Sequence, residues 1–161
     1  MRRCLVVAVG LAVVVAGGAC SRQAKGTPGV PPGGSHADAP EHPCTWFTAA
    51  EIGDRLGTRV RDGQVAGPLG TACQWEGVTD SKAFVQIQVV REVSFWTVPR
   101  GLADLAMLNG VGKEAYVVPA EGGFKAAGLL ENAFVSVFVG GATANRAVAE
   151  RLLVDTLSRV R

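Results

Sequence analysis

The sequence predicts an α+β fold, a single two-layer domain in which a mostly antiparallel sheet of five or six strands is packed by a short N-terminal helix and a long C-terminal helix. Three observations predict it. A capping-box helix signal stands at Thr48 to Gly57, period-two alternation recurs in Ala72 to Glu76 and Phe84 to Val90, and apolar residues spaced by three and four run from Ala149 to Val160. Strands framed by helices at both ends give helices laid against a sheet.

Taken in order, Met1-Arg2-Arg3 is a cationic head before an apolar run from Leu5 to Ala16, broken only by Gly10. That run is too short to span a bilayer, which needs about 20 apolar residues, and has the proportions of an export signal. Gly17-Gly18-Ala19-Cys20-Ser21 resembles a bacterial lipobox, which predicts residues 1–19 as a signal peptide and a diacylated Cys20 as the mature N-terminus. Ordinary cleavage after Ala19, giving a secreted protein, is the alternative. Cysteine arithmetic favours the lipid: once Cys4 leaves with the signal, Cys20, Cys44 and Cys73 remain, and acylating Cys20 leaves one pair. Outside the reducing cytoplasm that pair is expected to form a disulfide.

Residues 20–43 then read as the lipidated cysteine and a flexible tether, because Pro28, Pro31, Pro32, Gly33 and Gly34 suit no regular element. Both histidines, His36 and His42, fall at its end beside Asp38 and Glu41. Four such groups invite a metal reading. A stable metal site needs ligands fixed by their surroundings, so a solvated tether is the expectation and no metal or cofactor is predicted.

The domain is predicted over residues 44–161. Thr48-Ala49-Ala50-Glu51 is a capping box, Phe47 and Ile52 form its hydrophobic staple, and Leu56-Gly57 supplies the last apolar position and a left-handed stop. Asp62-Gly63, between Val60 and Val65, suggests a hairpin turn, and Gly67-Pro68-Leu69-Gly70 a loop. In Ala72 to Glu76 the alternation turns Cys73 and Trp75 to the core, and a Cys44–Cys73 disulfide would close 29 residues, worth roughly 3–4 kcal/mol through chain entropy. A redox or metal role for the pair lacks a Cys-x-x-Cys and further ligands.

Phe84 to Val90 should pair with the Cys73 strand across the loop from Gly77 to Lys82. Phe95 and Trp96 follow. Core positions are the plainer reading for both, and an exposed, ligand-contacting patch is the alternative. Leu102, Leu105 and Ala106 suggest a short helical stripe ending at Asn109-Gly110. Gly110-Val111-Gly112-Lys113-Glu114 lacks the Ser or Thr after Gly-Lys and the helix that a phosphate loop requires, so it reads as a tight turn into a strand through Val118. Phe124 to Leu130 and Phe134 to Val139 give two more strands joined at Glu131-Asn132, with a bulge suggested at Gly128. In the last helix Thr143 is the candidate cap, Ala149, Leu152, Leu153, Thr156, Leu157 and Val160 form the packing stripe, and Arg151, Asp155 and Arg159 allow pairing along the outer face.

Cys44-Thr45-Trp46-Phe47-Thr48-Ala49-Ala50-Glu51 with Leu56-Gly57, then Cys73-Gln74-Trp75, then Gly110-Val111-Gly112-Lys113-Glu114-Ala115, resembles the actinobacterial lipoproteins of the domain-of-unknown-function family numbered 3558. The likeness runs from Cys44 to the C-terminus. The family pattern sets a Cys before a short helix ending in Leu-Gly, a Cys-x-Trp strand and a Gly-x-Gly-x-x-Ala turn behind a lipobox and a Pro/Gly-rich tether. The resemblance implies an envelope lipoprotein and brings no catalytic residues.

Charge excludes some partners. Taking Arg2 and Arg3 from the 16 basic residues leaves 14, against 14 acidic ones scattered among them, so no basic face for nucleic acid is predicted. A Ser-His-Asp hydrolase needs a rigidly held histidine and no Gly-x-Ser-x-Gly occurs. Glu51, Asp54, Glu76 and Asp80 are the carboxylates from which a glycosidase pair would have to come, and their spacing shows no convergence. The expectation is therefore a noncatalytic lipoprotein on the extracytoplasmic face of the cell membrane, held through Cys20 and binding an envelope protein or small ligand, with Phe95 and Trp96 as candidate contacts. An enzyme acting on envelope material is the alternative.

Overall fold

Thr48 opens the first helix as its side chains dictate. In the computed structural model, which describes residues 42–67 and 70–160, Thr48 Oγ1 accepts from the Glu51 N–H at 3.2 Å and Glu51 Oε2 accepts from the Thr48 N–H at 2.8 Å. Helix α1 (Ala49–Leu56) runs from that box to Gly57, whose φ of 67° lies in the left-handed region that a side chain disfavours. The export signal, Cys20 and most of the tether lie outside the described residues.

Seven strands follow, β1 (Gln64–Ala66), β2 (Ala72–Glu76), β3 (Phe84–Val90), β4 (Ala106–Met107), β5 (Glu114–Ala120), β6 (Gly123–Leu129) and β7 (Phe134–Gly140), before helix α2 (Arg146–Leu157). They form one sheet in the order β1-β2-β3-β7-β6-β5-β4, antiparallel at every pairing. The predicted α+β antiparallel architecture is present, with seven strands rather than five or six. The extra ones are edges of three and two residues, too short for alternation to register. Two consecutive meanders, β1 to β3 and β4 to β7, are joined where β3 lies beside β7. The chain must therefore pass from β3 to the far edge at β4, about 19 Å at ~4.8 Å per strand.

One face of the sheet carries the core. Cys73, Trp75, Val85, Ile87, Val135, Val137 and Val139 are buried there with Ile52 and Leu56 of α1 and Leu152 and Leu153 of α2. Trp75 meets Phe47 edge to face at 6.3 Å, and the predicted Cys44–Cys73 disulfide is formed, with Cα atoms 5.1 Å apart. Asp62-Gly63 is not a hairpin turn. Val60 bridges Gly77 while Gln64 pairs with Gln74, so the segment stays alongside β2 and absorbs one extra residue as a bulge. Gly63 is small because a Cβ there would fall 2.6 Å from Cys73 Sγ and 2.7 Å from the Trp75 ring. Gly128 corrects in the opposite sense. It pairs in regular register with Ala115 and Val135, and its missing side chain makes room for Leu157 of α2.

The last helix is capped by Asn145, whose Oδ1 accepts from the Val148 N–H at 3.0 Å, not by Thr143. Asp155 and Arg159 do not pair along α2 but reach α1: Arg55 donates to Asp155 Oδ2 at 2.6 and 3.2 Å, and Arg159 to Glu51 Oε1 at 3.3 Å. The predicted stripe at Leu102 to Ala106 is no helix either, since Gly101 and Asp104 take φ of 79° and 61° and turn the chain instead. His42 and Pro43, just ahead of Cys44, are tied to the folded part. The His42 Nδ1 accepts from the Cys44 N–H at 3.2 Å, its Nε2 lies 2.6 Å from the Gly70 carbonyl oxygen, and Pro43 is buried.

Candidate functional site

The crossing from β3 to β4 takes the face of the sheet opposite the helices. After Val90 the Glu92 carboxylate accepts from the Ser94 hydroxyl and N–H at 2.7 and 3.2 Å, which holds its pKa below the usual carboxylate range and caps a 3-10 turn at Val93–Phe95. Trp96 is extended and turns inward. Its indole N–H donates to Glu114 Oε2 at 2.8 Å, and its ring lies 5.6 Å from Tyr116 and 5.9 Å from Phe134. Val98 and Leu105 pack with it on Tyr116, Val118 and Ala127, and burial pushes the Tyr116 phenol up.

That anchoring sends the neighbouring apolar residues outward. Phe95 is 71% exposed and Leu102 52%. Neither expected aromatic is fully in the core: Trp96 is half-buried as a rivet, and Phe95 is displayed. The reason is topological, because a chain crossing a sheet face alternates which side chains it sets down and which it lifts. Sequence alone does not give the phase. Exposing a phenyl ring at this level forgoes about 2 kcal/mol of burial, which marks it as an interaction candidate.

The crossing shelters only part of the face. The cluster beneath it draws on β5 and β6 and includes no residue of β2 or β3. On the remaining half, Gln64, Gln74 and Gln86 stand opposite one another in register, followed by Phe138 on β7 and Lys125 on β6. Phe84 lies 5.2 Å from the Phe138 ring. A cleft of about 270 Å³ opens at the β1 end, lined by Arg61, Asp62, Gln64, Gln74 and Glu76 among others. Sequence reasoning passed over these glutamines because each is only the polar partner in an alternating strand, and their alignment exists only in the register.

The four carboxylates named as a glycosidase source are dispersed. Glu51 serves the α1 cap and Arg159, Glu76 accepts from Gln74 at 2.8 Å and sits 3.6 Å from Arg61, and Asp80 Oδ1 accepts from the Lys82 N–H at 2.9 Å. Glu76, Asp54 and Asp80 line three different clefts. Among the described residues no group of three His, Cys, Asp or Glu is placed to share a metal ion, and no helix is long and apolar enough to cross a membrane. His36 and Cys20 fall outside them.

No family model matches the chain, and no curated protein matches it.

Proposed function

We propose that the chain is an envelope lipoprotein, akin to the family of unknown function numbered 3558, that acts without catalysis as a binding module. Its folded part is a single two-layer domain held by Cys20 on the extracytoplasmic face of the membrane. The observation that carries the binding role is Phe95, lifted into solvent by a crossing that is riveted through Trp96 to Glu114, Tyr116 and Phe134. A rigidly presented aromatic loses little entropy when a partner covers it, and such residues carry much of the contact energy in interfaces. The Cys44–Cys73 disulfide suits an oxidising compartment, and the lipobox with its odd cysteine supports the anchor.

The test uses the full chain with Cys20→Ala, which is expected to lose labelling by a palmitate analogue and to leave the cell with the medium. Returned to washed envelopes, the released protein is expected to bind saturably, with Phe95→Ala weakening binding about tenfold while the melting temperature holds. Undiminished palmitate labelling of Cys20→Ala contradicts the anchor. Equal binding of Phe95→Ala contradicts the surface.

A further inference from the structure

We propose that the unsheltered half of the same sheet face is a binding strip for a neutral oligosaccharide. This surface is distinct from Phe95 and goes beyond the binding role argued from it, adding a second site with its own ligand class. The strip is built across five strands. Gln64, Gln74 and Gln86 are cross-strand neighbours on β1, β2 and β3, with Phe138 and Lys125 continuing the row over a span of about 19 Å.

The chemistry of the row selects the ligand. A glutamine amide offers two donors and an acceptor, and a sugar hydroxyl likewise both donates and accepts, so a line of amides meets a line of hydroxyls without fixing a charge. Part of that capacity is open. Gln74 spends one N–H on Glu76, whereas the Gln86 amide, half-buried between Gln74 and Phe138, has no hydrogen-bond partner among the described residues. Phe84 and Phe138, their rings 5.2 Å apart, supply the apolar faces on which the C–H side of a sugar ring packs.

Other ligand classes fit less well. A phosphate-bearing chain calls for clustered cations, and Lys125 is the one ammonium in the row. An extended peptide is captured at a sheet edge through main-chain hydrogen bonds, which a face does not present. An acyl chain would bury the amides unpaired, at a cost of about 1–3 kcal/mol each. A face kept only for solubility would alternate charges, yet here three neutral amides stand in a row leading to the half-buried Phe138, with Glu76 beside Phe84 and Lys125 beside Phe138 as the neighbouring charges. At the β1 end, the cleft with the Arg61–Glu76 pair can receive the hydroxyls of a terminal sugar.

The test follows the side-chain amide signals of the isotope-labelled full chain carrying Cys20→Ala, titrated with cellohexaose, maltohexaose, xylohexaose, mannohexaose and chitohexaose. Saturable shifts of the Gln64, Gln74 and Gln86 amides with at least one of them are expected. Phe138→Ala should weaken that binding about tenfold. Gln86→Leu, which keeps a strand side chain of similar size, provides the second variant should Phe138→Ala fail to fold. Phe95→Ala should leave the sugar shifts in place, which separates this strip from the displayed aromatic. Absence of shifts in all three glutamines with every oligosaccharide overturns the proposal, and so do shifts confined to residues 91–105.

Discussion

Tyr116 is the only tyrosine in the chain, and its phenol reports on the cover above it. Burial raises its pKa above the ordinary value of about 10. A raised folded pKa favours the neutral phenol, so the contribution to stability is present below the unfolded pKa and is lost as pH rises through the folded one. An absorbance titration of the phenolate is expected to place ionisation above the ordinary range, and Trp96→Ala to bring it back down. Ordinary titration in the parent protein would mean that Trp96 does not seal the site. At this scale the sequence was partly readable. Thr48, Glu51 and Gly57 declare their roles through local chemistry, whereas Gly63 and Gly128 are small for reasons in remote chain segments, the Cys73 and Trp75 side chains for one and Leu157 for the other.

Helix α1 announced itself by its cap and α2 by its apolar stripe, but what fastens them together did not. Arg55 and Arg159 place their guanidinium groups 5.6 and 4.0 Å from the Phe47 ring centre while pairing with Asp155 and Glu51, a hundred residues or more apart in sequence for each pair. Spacing along α2 suggested pairs within the helix, because i, i+4 neighbours are all that a one-dimensional reading offers. Glu51 belongs both to the cap and to this fastening. The Thr48 N–H, with smaller help from the Thr48 hydroxyl and Arg159, lowers its pKa. A depressed carboxylate stabilises the fold above its unfolded pKa, and that stability is lost as pH falls through the folded value. Glu51→Gln, which keeps the capping geometry and removes the charge, is expected to cost about 0.5 kcal/mol at neutral pH and to flatten the acid side of the stability curve, measured by urea unfolding from pH 7 downward. An unchanged acid limb would remove Glu51 from that role.

For the whole molecule, alternation and caps gave the class of fold but not the strand order. Nothing in β3 or β7 taken singly says that they are neighbours, and it is their pairing that sends residues 91–105 across the sheet. That crossing creates both surfaces, Phe95 on its outer side and the glutamine row beyond its shelter. The short β1 and β4 edges limit edge-to-edge pairing, which leaves the far face as the broad surface for a partner. The proposed function requires a partner over Phe95 in the intact cell. Its most direct test replaces Phe95 by a photoreactive phenylalanine in the full, lipid-anchored chain, with the exposed Thr79 as the control position. Irradiation of intact cells is expected to give a discrete adduct from position 95 and none from position 79. No adduct at 95, or the same products from both positions, would mean that no specific partner covers Phe95.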